Sequence, residues 1–170
     1  MRRLAEQLEN LADLTGRAVA WLTAGMVLVI FVVVVLRYAF DWGSIAMQES
    51  ATYMHAVMFM LGAAYTLRRD GHVRVDIFYR KLGPYGQAWV NLSGTLLLLL
   101  PVSLYIAHDS WEYVVSSWSV HEGSREAGGL PGVFLLKTLM LVMPALLVLQ
   151  GLADALRALL VLRGGAGKTA

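Results

Sequence analysis

Two ionisable side chains, His55 and Lys137, lie inside the long apolar segments of this sequence. Ionisable groups are costly in a bilayer and mark functional sites by default, so a proton relay or a carrier site is one hypothesis. In the alternative, Lys137 reaches the membrane surface or pairs with Glu122 or Glu126, and His55 makes a helix–helix hydrogen bond. Ion-coupled carriers typically show internal repeats, broken helices and a midplane site. Because the sequence has no mid-membrane carboxylate, we favour the structural role.

A second hypothesis is haem binding, because His55 and His108 fall toward the same end of two predicted helices. Two histidines facing each other across a helical bundle are a common haem site. However, His108 lies at the very end of its apolar segment, and His72, which could start a second pair, lies in a loop. We therefore expect no cofactor, and keep a haem-bearing membrane anchor as the alternative.

Other catalytic signatures are missing from the sequence. It contains no cysteine, so thiolate metal sites and cysteine nucleophiles are excluded. It also lacks the Gly-x-Ser-x-Gly, His-Glu-x-x-His and phosphate-loop motifs. We predict that the chain is not an enzyme and has no catalytic, cofactor-binding or metal-binding residues.

The elements that carry these residues are long apolar segments. Of the 170 residues, 58% are hydrophobic and 15% are charged. A membrane-spanning helix needs about 20 mostly apolar residues, and four segments meet this requirement, at about 18–36, 51–67, 88–107 and 130–153. The first is too long for a signal peptide and lacks small residues at its end. We predict an all-α membrane protein: one four-helix domain over residues 1–163, short interfacial amphipathic helices and a flexible tail over 164–170.

The distribution of basic residues predicts the orientation of the chain. The two termini and the second loop together hold eleven Lys and Arg, whereas the first and third loops hold Arg37 and Arg125. Lys and Arg are retained on the cytoplasmic side of a membrane. Both termini are therefore predicted to be cytoplasmic.

The connecting segments carry several local signals. Residues 4–15 are amphipathic and predict a short helix on the inner membrane surface or against a partner. Gly71 suits the left-handed position after a helix, and Asp76 could cap a second short helix that ends at Gly83-Pro84. Pro131 suits the first turn of the last helix.

Prolines and small residues give further expectations within the spans. Pro101 and Pro144 should kink their helices. Gly62, with Ala63, Ala64 and Thr66, permits close approach of a neighbouring backbone. Most of these small residues are expected to pack the helices of the bundle.

Several short motifs resemble the small membrane subunit of tripartite ATP-independent periplasmic (TRAP) transporters. The resemblance extends from the first apolar segment to about Arg157. The first motifs are Arg37-Tyr38, Gln48-Glu49-Ser50, the segment 59–65 and the segment 68–76. The later ones are Glu122-Gly123-Ser124, Gly129-Leu130-Pro131 and Lys137. One departure is that Met47 and Gln48 precede Glu49, where the family often has a tryptophan.

This resemblance implies a secondary uptake system in three parts. A periplasmic binding protein captures an organic anion, a large permease subunit moves it with sodium, and the small subunit braces and anchors the permease in the bacterial inner membrane. Nine residues would then have a structural or subunit-interface role: Arg37, Glu49, Gly62, His72, Arg74, Asp76, Ser124, Pro131 and Lys137. The alternative is a haem-bearing or structural anchor of a redox complex.

Overall fold

The computed structural model describes residues 2–73 and 76–165, and within these ranges all regular structure is helical. The α-helices are α1 (Arg2–Ala39), α2 (Ile45–Arg68), α3 (Asp76–Tyr79), α4 (Pro84–Gly94), α5 (Leu100–Ser119) and α6 (Val133–Gly165). A π-helical turn, Thr95–Leu99, joins α4 to α5 without a break. The all-α prediction is confirmed.

Three helical segments are long and apolar enough to cross a membrane: Glu6–Ala39, Pro84–Ser119 and Val133–Gly164. The fourth predicted span, 51–67, forms a helix, because α2 has 24 residues. That length corresponds to about 36 Å. Polar side chains such as Thr52, His55 and Thr66 make α2 less apolar than the other three. Length and composition therefore do not identify α2 as a span.

Helices α1 and α2 lie side by side and run in opposite directions. Asp13 Oδ2 lies 2.6 Å from Arg68 Nη1 at one end, and Thr23 Oγ1 lies 2.7 Å from Met58 Sδ nearer the middle. Between these pairs, Gly16 faces the ring of Tyr65 so closely that a Cβ atom would lie 2.2 Å from Tyr65 Cγ. In the pairs 13/68, 16/65 and 23/58, each step forward along α1 is matched by an equal step backward along α2. The two antiparallel helices therefore remain in register over several turns.

Helix α6 is the centre of the bundle and contacts α1, α2, α4 and α5. Its interface with α4 is built from small side chains, which allow the backbones to approach closely. Ala155 and Ala158 of α6 form a buried cluster with Ala88 and Leu92 of α4. Because three of these four residues are alanines, α4 and α6 lie close together near the C-terminal end of α6.

The π-helical turn changes the spacing of a buried hydroxyl stripe on the α4–α5 segment. Thr95, Ser103, Ser110 and Ser117 are all buried, at spacings of eight, seven and seven residues. A π turn adds one residue to a helix, and here Leu100 N–H bonds to Thr95 C=O. The extra residue keeps Thr95 on the same side as the three serines, next to Gly151 of α6.

Four details of the chain differ from the sequence-based expectations. The amphipathic segment 4–15 is not a separate interfacial helix but part of α1, whose 38 residues span about 57 Å. The left-handed residue after α2 is Asp70, with φ 57°, because Gly71 N–H is the group that bonds back to Thr66 C=O, at 2.9 Å. Pro131 lies two residues before the first residue of α6. Gly164 and Gly165, expected in the tail, belong to α6, and the rest of that tail lies outside the described residues.

Candidate functional site: polar clusters at the two ends of the bundle

The bundle has a polar cluster at each end. We call the end that holds the 120–132 loop the loop end, and the end where α1 begins and α6 finishes the terminal end. Each cluster joins three of the four long helical segments. Three of the nine predicted site residues, Glu49, Ser124 and Lys137, lie in the loop-end cluster.

Glu49, in the second turn of α2, is the main connection between α2 and the 120–132 loop. Its Oε1 atom accepts a hydrogen bond from Ser124 Oγ, and its Oε2 atom accepts one from Leu130 N–H at 2.6 Å. The Ser124 hydroxyl, followed by the Leu130 amide, lowers the pKa of Glu49 below its usual value, because both bonds favour the ionised form. One carboxylate therefore holds both sides of the loop.

Gly129 allows this loop to close around the carboxylate. Ser124 N–H donates to Leu130 C=O at 2.9 Å, and Ser124 Oγ also accepts from Glu126 N–H at 3.1 Å. A Cβ atom at Gly129 would lie 2.4 Å from Ser124 Oγ and 2.8 Å from Glu49 Oε2. Any larger residue at position 129 would displace the groups that bind Glu49.

Lys137 connects α6 to α5 and to Glu122 in the loop after α5. Its ammonium forms an ion pair with Glu122 and lies 3.8 Å from the centre of the Tyr113 ring, within range of a cation–π interaction. Ser117 Oγ donates to the same Glu122 oxygen at 2.7 Å. Lys137 and then Ser117 lower the pKa of Glu122. The sequence allowed Glu122 or Glu126 as the partner of Lys137, and the structure selects Glu122.

Aromatic contacts pack the same corner between α5 and α6. Trp118 Nε1 donates to Thr138 Oγ1 at 2.9 Å, and its ring meets Phe134 edge-on at 4.7 Å. His121, two residues after α5, has a left-handed conformation, and its ring also meets the Phe134 ring edge-on, at 5.6 Å. These contacts fix the angle at which the loop leaves α5.

The terminal-end cluster was not predicted from the sequence. Its centre is Glu9 of α1, whose side chain is 3% exposed and forms an ion pair with Arg157 of α6. Arg68 of α2 binds the Glu9 carbonyl oxygen and Asp13 Oδ2, while Arg69 lies 3.3 Å from Asp13 Oδ1. Helices α1, α2 and α6 are thus joined at one point.

Other predicted site residues are not part of either cluster. Arg37 is exposed near the end of α1, and Gly62 has open space where a side chain would be. His72 is exposed, with Nε2 3.3 Å from Ala63 C=O. Pro131 lies against Gly123 in the loop. Arg74 and the side chain of Asp76, with its predicted capping role, lie outside the described residues.

The two histidines of the haem hypothesis do not share a site. Both side chains are exposed, and His55 stacks on Phe59 with ring centres 6.2 Å apart. The helices that carry them, α2 and α5, each pack on α6 and share no extended contact. The arrangement gives no support to a haem-bearing anchor.

Comparisons with known proteins agree with the membrane character of the fold. A sequence model of the family described as "Tripartite ATP-independent periplasmic transporters, DctQ component" matches residues 26–161. A Haemophilus influenzae protein that carries the name of a TRAP transporter small permease protein is 33% identical over 86 residues, which are 51% of this chain and 53% of that protein. The chain thus spans about half the length of this relative. No solved structure matches the chain. Because the family match covers most of the chain, the protein belongs to the DctQ component family of TRAP transporters.

Proposed function

We propose that this chain is the small integral-membrane subunit of a sodium-coupled TRAP transporter that takes up an organic anion. It braces and anchors the large permease subunit, to which a periplasmic substrate-binding protein delivers the anion. The binding sites for the anion and for sodium belong to the large subunit. The chain itself carries out no chemical step.

The observation that carries this proposal is the presence of cross-connections at both ends of the bundle. Helices α2 and α6 take part in both clusters, through Glu49 and Lys137 at the loop end and Arg68 and Arg157 at the terminal end. A helix fixed at both ends cannot slide along its neighbours without breaking ion pairs. Such a unit suits a static support beside a subunit that moves.

We also propose four membrane crossings, with both termini in the cytoplasm of a bacterium and the chain in its inner membrane. Helix α2 lies antiparallel to α1 over the same depth, which supports a fourth crossing. The basic residues concentrate at the terminal end, as expected for the cytoplasmic side. Reporter fusions after residue 120 should be periplasmic and fusions after residue 80 cytoplasmic, and the reverse pattern would refute this topology.

The predicted site residues divide into two proposed roles. Glu49, Ser124, Pro131 and Lys137 shape the loop end of this chain. The interface with the large subunit includes Arg37, Gly62, His72, Arg74 and Asp76. Gly62 in particular leaves room for another backbone. Gly62→Leu should reduce co-purification of the large subunit, whereas Gly62→Ala, a smaller change at the same site, should retain most of it.

The function is tested by uptake into reconstituted vesicles under a sodium gradient. The large permease subunit and the cognate binding protein are assayed with and without this chain. We expect uptake to be lost when the chain is omitted, because the support of the permease is gone. Full-rate transport by the large subunit alone would refute the role as a brace.

A further inference from the structure

A cavity of about 570 Å³ opens between α2, α4 and α6 at the terminal end of the bundle. Two guanidinium groups and two carboxylates line it: Arg68, Arg157, Asp70 and Asp154. Apolar side chains such as Leu67, Leu99 and Val161 also line it. The brace function proposed above uses the ion pairs of Arg68 and Arg157 but gives the cavity itself no role.

Along the α4 side of the cavity the lining changes from polar to apolar, as a phospholipid changes from headgroup to acyl chain. Along the α4 side the lining passes from Gln87 and Asn91 to Leu99, and the eight residues from Asn91 to Leu99 cover roughly 12 Å. Tyr85 and Trp89, on the same helix, are 53% and 52% exposed, and such aromatic residues concentrate at membrane surfaces. The charged part of the cavity therefore lies at headgroup depth and the apolar part at acyl-chain depth.

The charges of the lining select among headgroups. Arg157 has a side chain that is 58% exposed, and a guanidinium offers five N–H donors that suit a phosphate. Asp154 accepts a hydrogen bond from Gln150 Nε2 at 3.0 Å, so its carboxylate is held in place at the cavity wall. Because Asp13 and Glu9 already pair with Arg68 and Arg157, the lining has no excess positive charge, which disfavours a purely anionic headgroup.

From this arrangement we infer that the cavity binds the headgroup of a phospholipid that carries a primary amine, of the phosphatidylethanolamine class. The phosphate lies against Arg157, and the ammonium donates its N–H bonds toward Asp154 and Asp70. A choline headgroup lacks N–H donors, and a glycerol headgroup lacks the positive charge. This inference rests on the membrane placement proposed above.

The first test fills the cavity without changing its charges. Gly94 lines the cavity and has open space at its Cβ position, so Gly94→Leu should place a side chain in the lipid site. Gly164→Leu is the matched control, because Gly164 is also helical and open but does not line the cavity. Native mass spectrometry of the full chain, co-purified with its permease, should show one retained phosphatidylethanolamine in the wild type and the control, and about tenfold less in Gly94→Leu.

The second test changes the charges instead. Asp154→Asn should weaken retention of phosphatidylethanolamine by about tenfold and remove the preference over phosphatidylcholine. Glycerophosphoethanolamine, the soluble headgroup, should not compete, because the apolar wall requires acyl chains. Equal retention of the ethanolamine, choline and glycerol lipids by the wild type, or undiminished retention by Gly94→Leu and Asp154→Asn, would overturn the inference. Since the permease is detected in the same spectra, loss of the permease with retained lipid would instead count against the proposed function.

Discussion

The contact between Gly16 and Tyr65 should be the most sensitive point of the α1–α2 interface. Gly16 is buried, and its backbone lies directly against the Tyr65 side chain. A methyl group at position 16 would lie 2.2 Å from Tyr65 Cγ and 2.5 Å from Cβ and Cδ2. Carbon atoms in contact are about 3.5–4.0 Å apart. Gly16→Ala should therefore force the helices apart by more than about 1 Å at this point.

The expected loss of stability follows from two opposing effects. Overpacking of a tight contact costs about 1–3 kcal/mol, whereas replacing an unstrained helical glycine by alanine gains about 0.5–1 kcal/mol. The difference predicts a net loss of about 1 kcal/mol for Gly16→Ala, within a range of about 0–2.5 kcal/mol. For a chain of this size, a loss of about 1 kcal/mol lowers the unfolding temperature by roughly 2–4 °C.

Thermal unfolding of the purified protein, followed by circular dichroism, measures this effect. Gly62→Ala is the matched control, because the same change at an open helical position should raise the unfolding temperature. Adding Tyr65→Ala to Gly16→Ala removes two of the three close atoms and should restore part of the lost stability. If Gly16→Ala is as stable as Gly62→Ala, or if Tyr65→Ala restores nothing, the close contact does not govern this interface.

Four further predictions concern the two clusters and the turns. The pKa of Glu49 is lowered in the folded protein, so the stabilisation by its carboxylate is complete above the ordinary carboxyl pKa of 4.5 and is lost as the pH falls through the lower, folded pKa. Hydrogen exchange of the Leu130 amide should show this as a loss of protection at low pH. Glu49→Gln should abolish this pH-dependent change in protection. Glu9→Ala leaves Arg157 without its buried partner, while Arg68 keeps Asp13 and the carbonyl of residue 9. It should cost about 1–3 kcal/mol, below the value for a fully buried pair because Arg157 is half exposed, with faster trypsin cleavage after Arg17 as the readout. Asp41 has φ 54°, so Asp41→Gly should be more stable than the wild type and Asp41→Ala less stable, each by up to about 1 kcal/mol in thermal unfolding. Lys137→Met and His55→Gln should reduce the amount of assembled transporter without changing the number of sodium ions per substrate, as measured by the reversal potential of uptake.

The loop-end cluster could be anticipated in part because its signals are local. Lys137 stands near the start of an apolar segment that follows an acidic loop, so a partner among Glu122 and Glu126 could be named. Glu49 and Ser124 were singled out by the family resemblance. Their direct hydrogen bond joins residues 75 positions apart, and nothing in the periodicity of the sequence indicates that pairing.

The terminal-end cluster could not be anticipated, for a related reason. Glu9 and Asp13 look like the solvated face of an amphipathic segment, since they are followed by Arg17 and surrounded by polar residues. Only the continuation of α1 beyond the apolar segment brings them beside α2 and α6. The spacing of Glu9 and Asp13, four residues apart, places both on one side of a helix, but the pairing with Arg157 spans 148 positions.

The π-helical turn also determines where the length of the chain can change. Deleting one leucine from the run Leu96–Leu99 would turn the π turn into an α-helical turn and reduce the spacing of Thr95 and Ser103 from eight residues to seven. The four hydroxyl side chains would still face α6, with Pro101 producing a kink in the shortened helix. A deletion between Ser103 and Ser110 would instead rotate one half of the stripe away from α6 by about 100°. Natural insertions and deletions of a single residue in this segment should therefore concentrate at the leucine run.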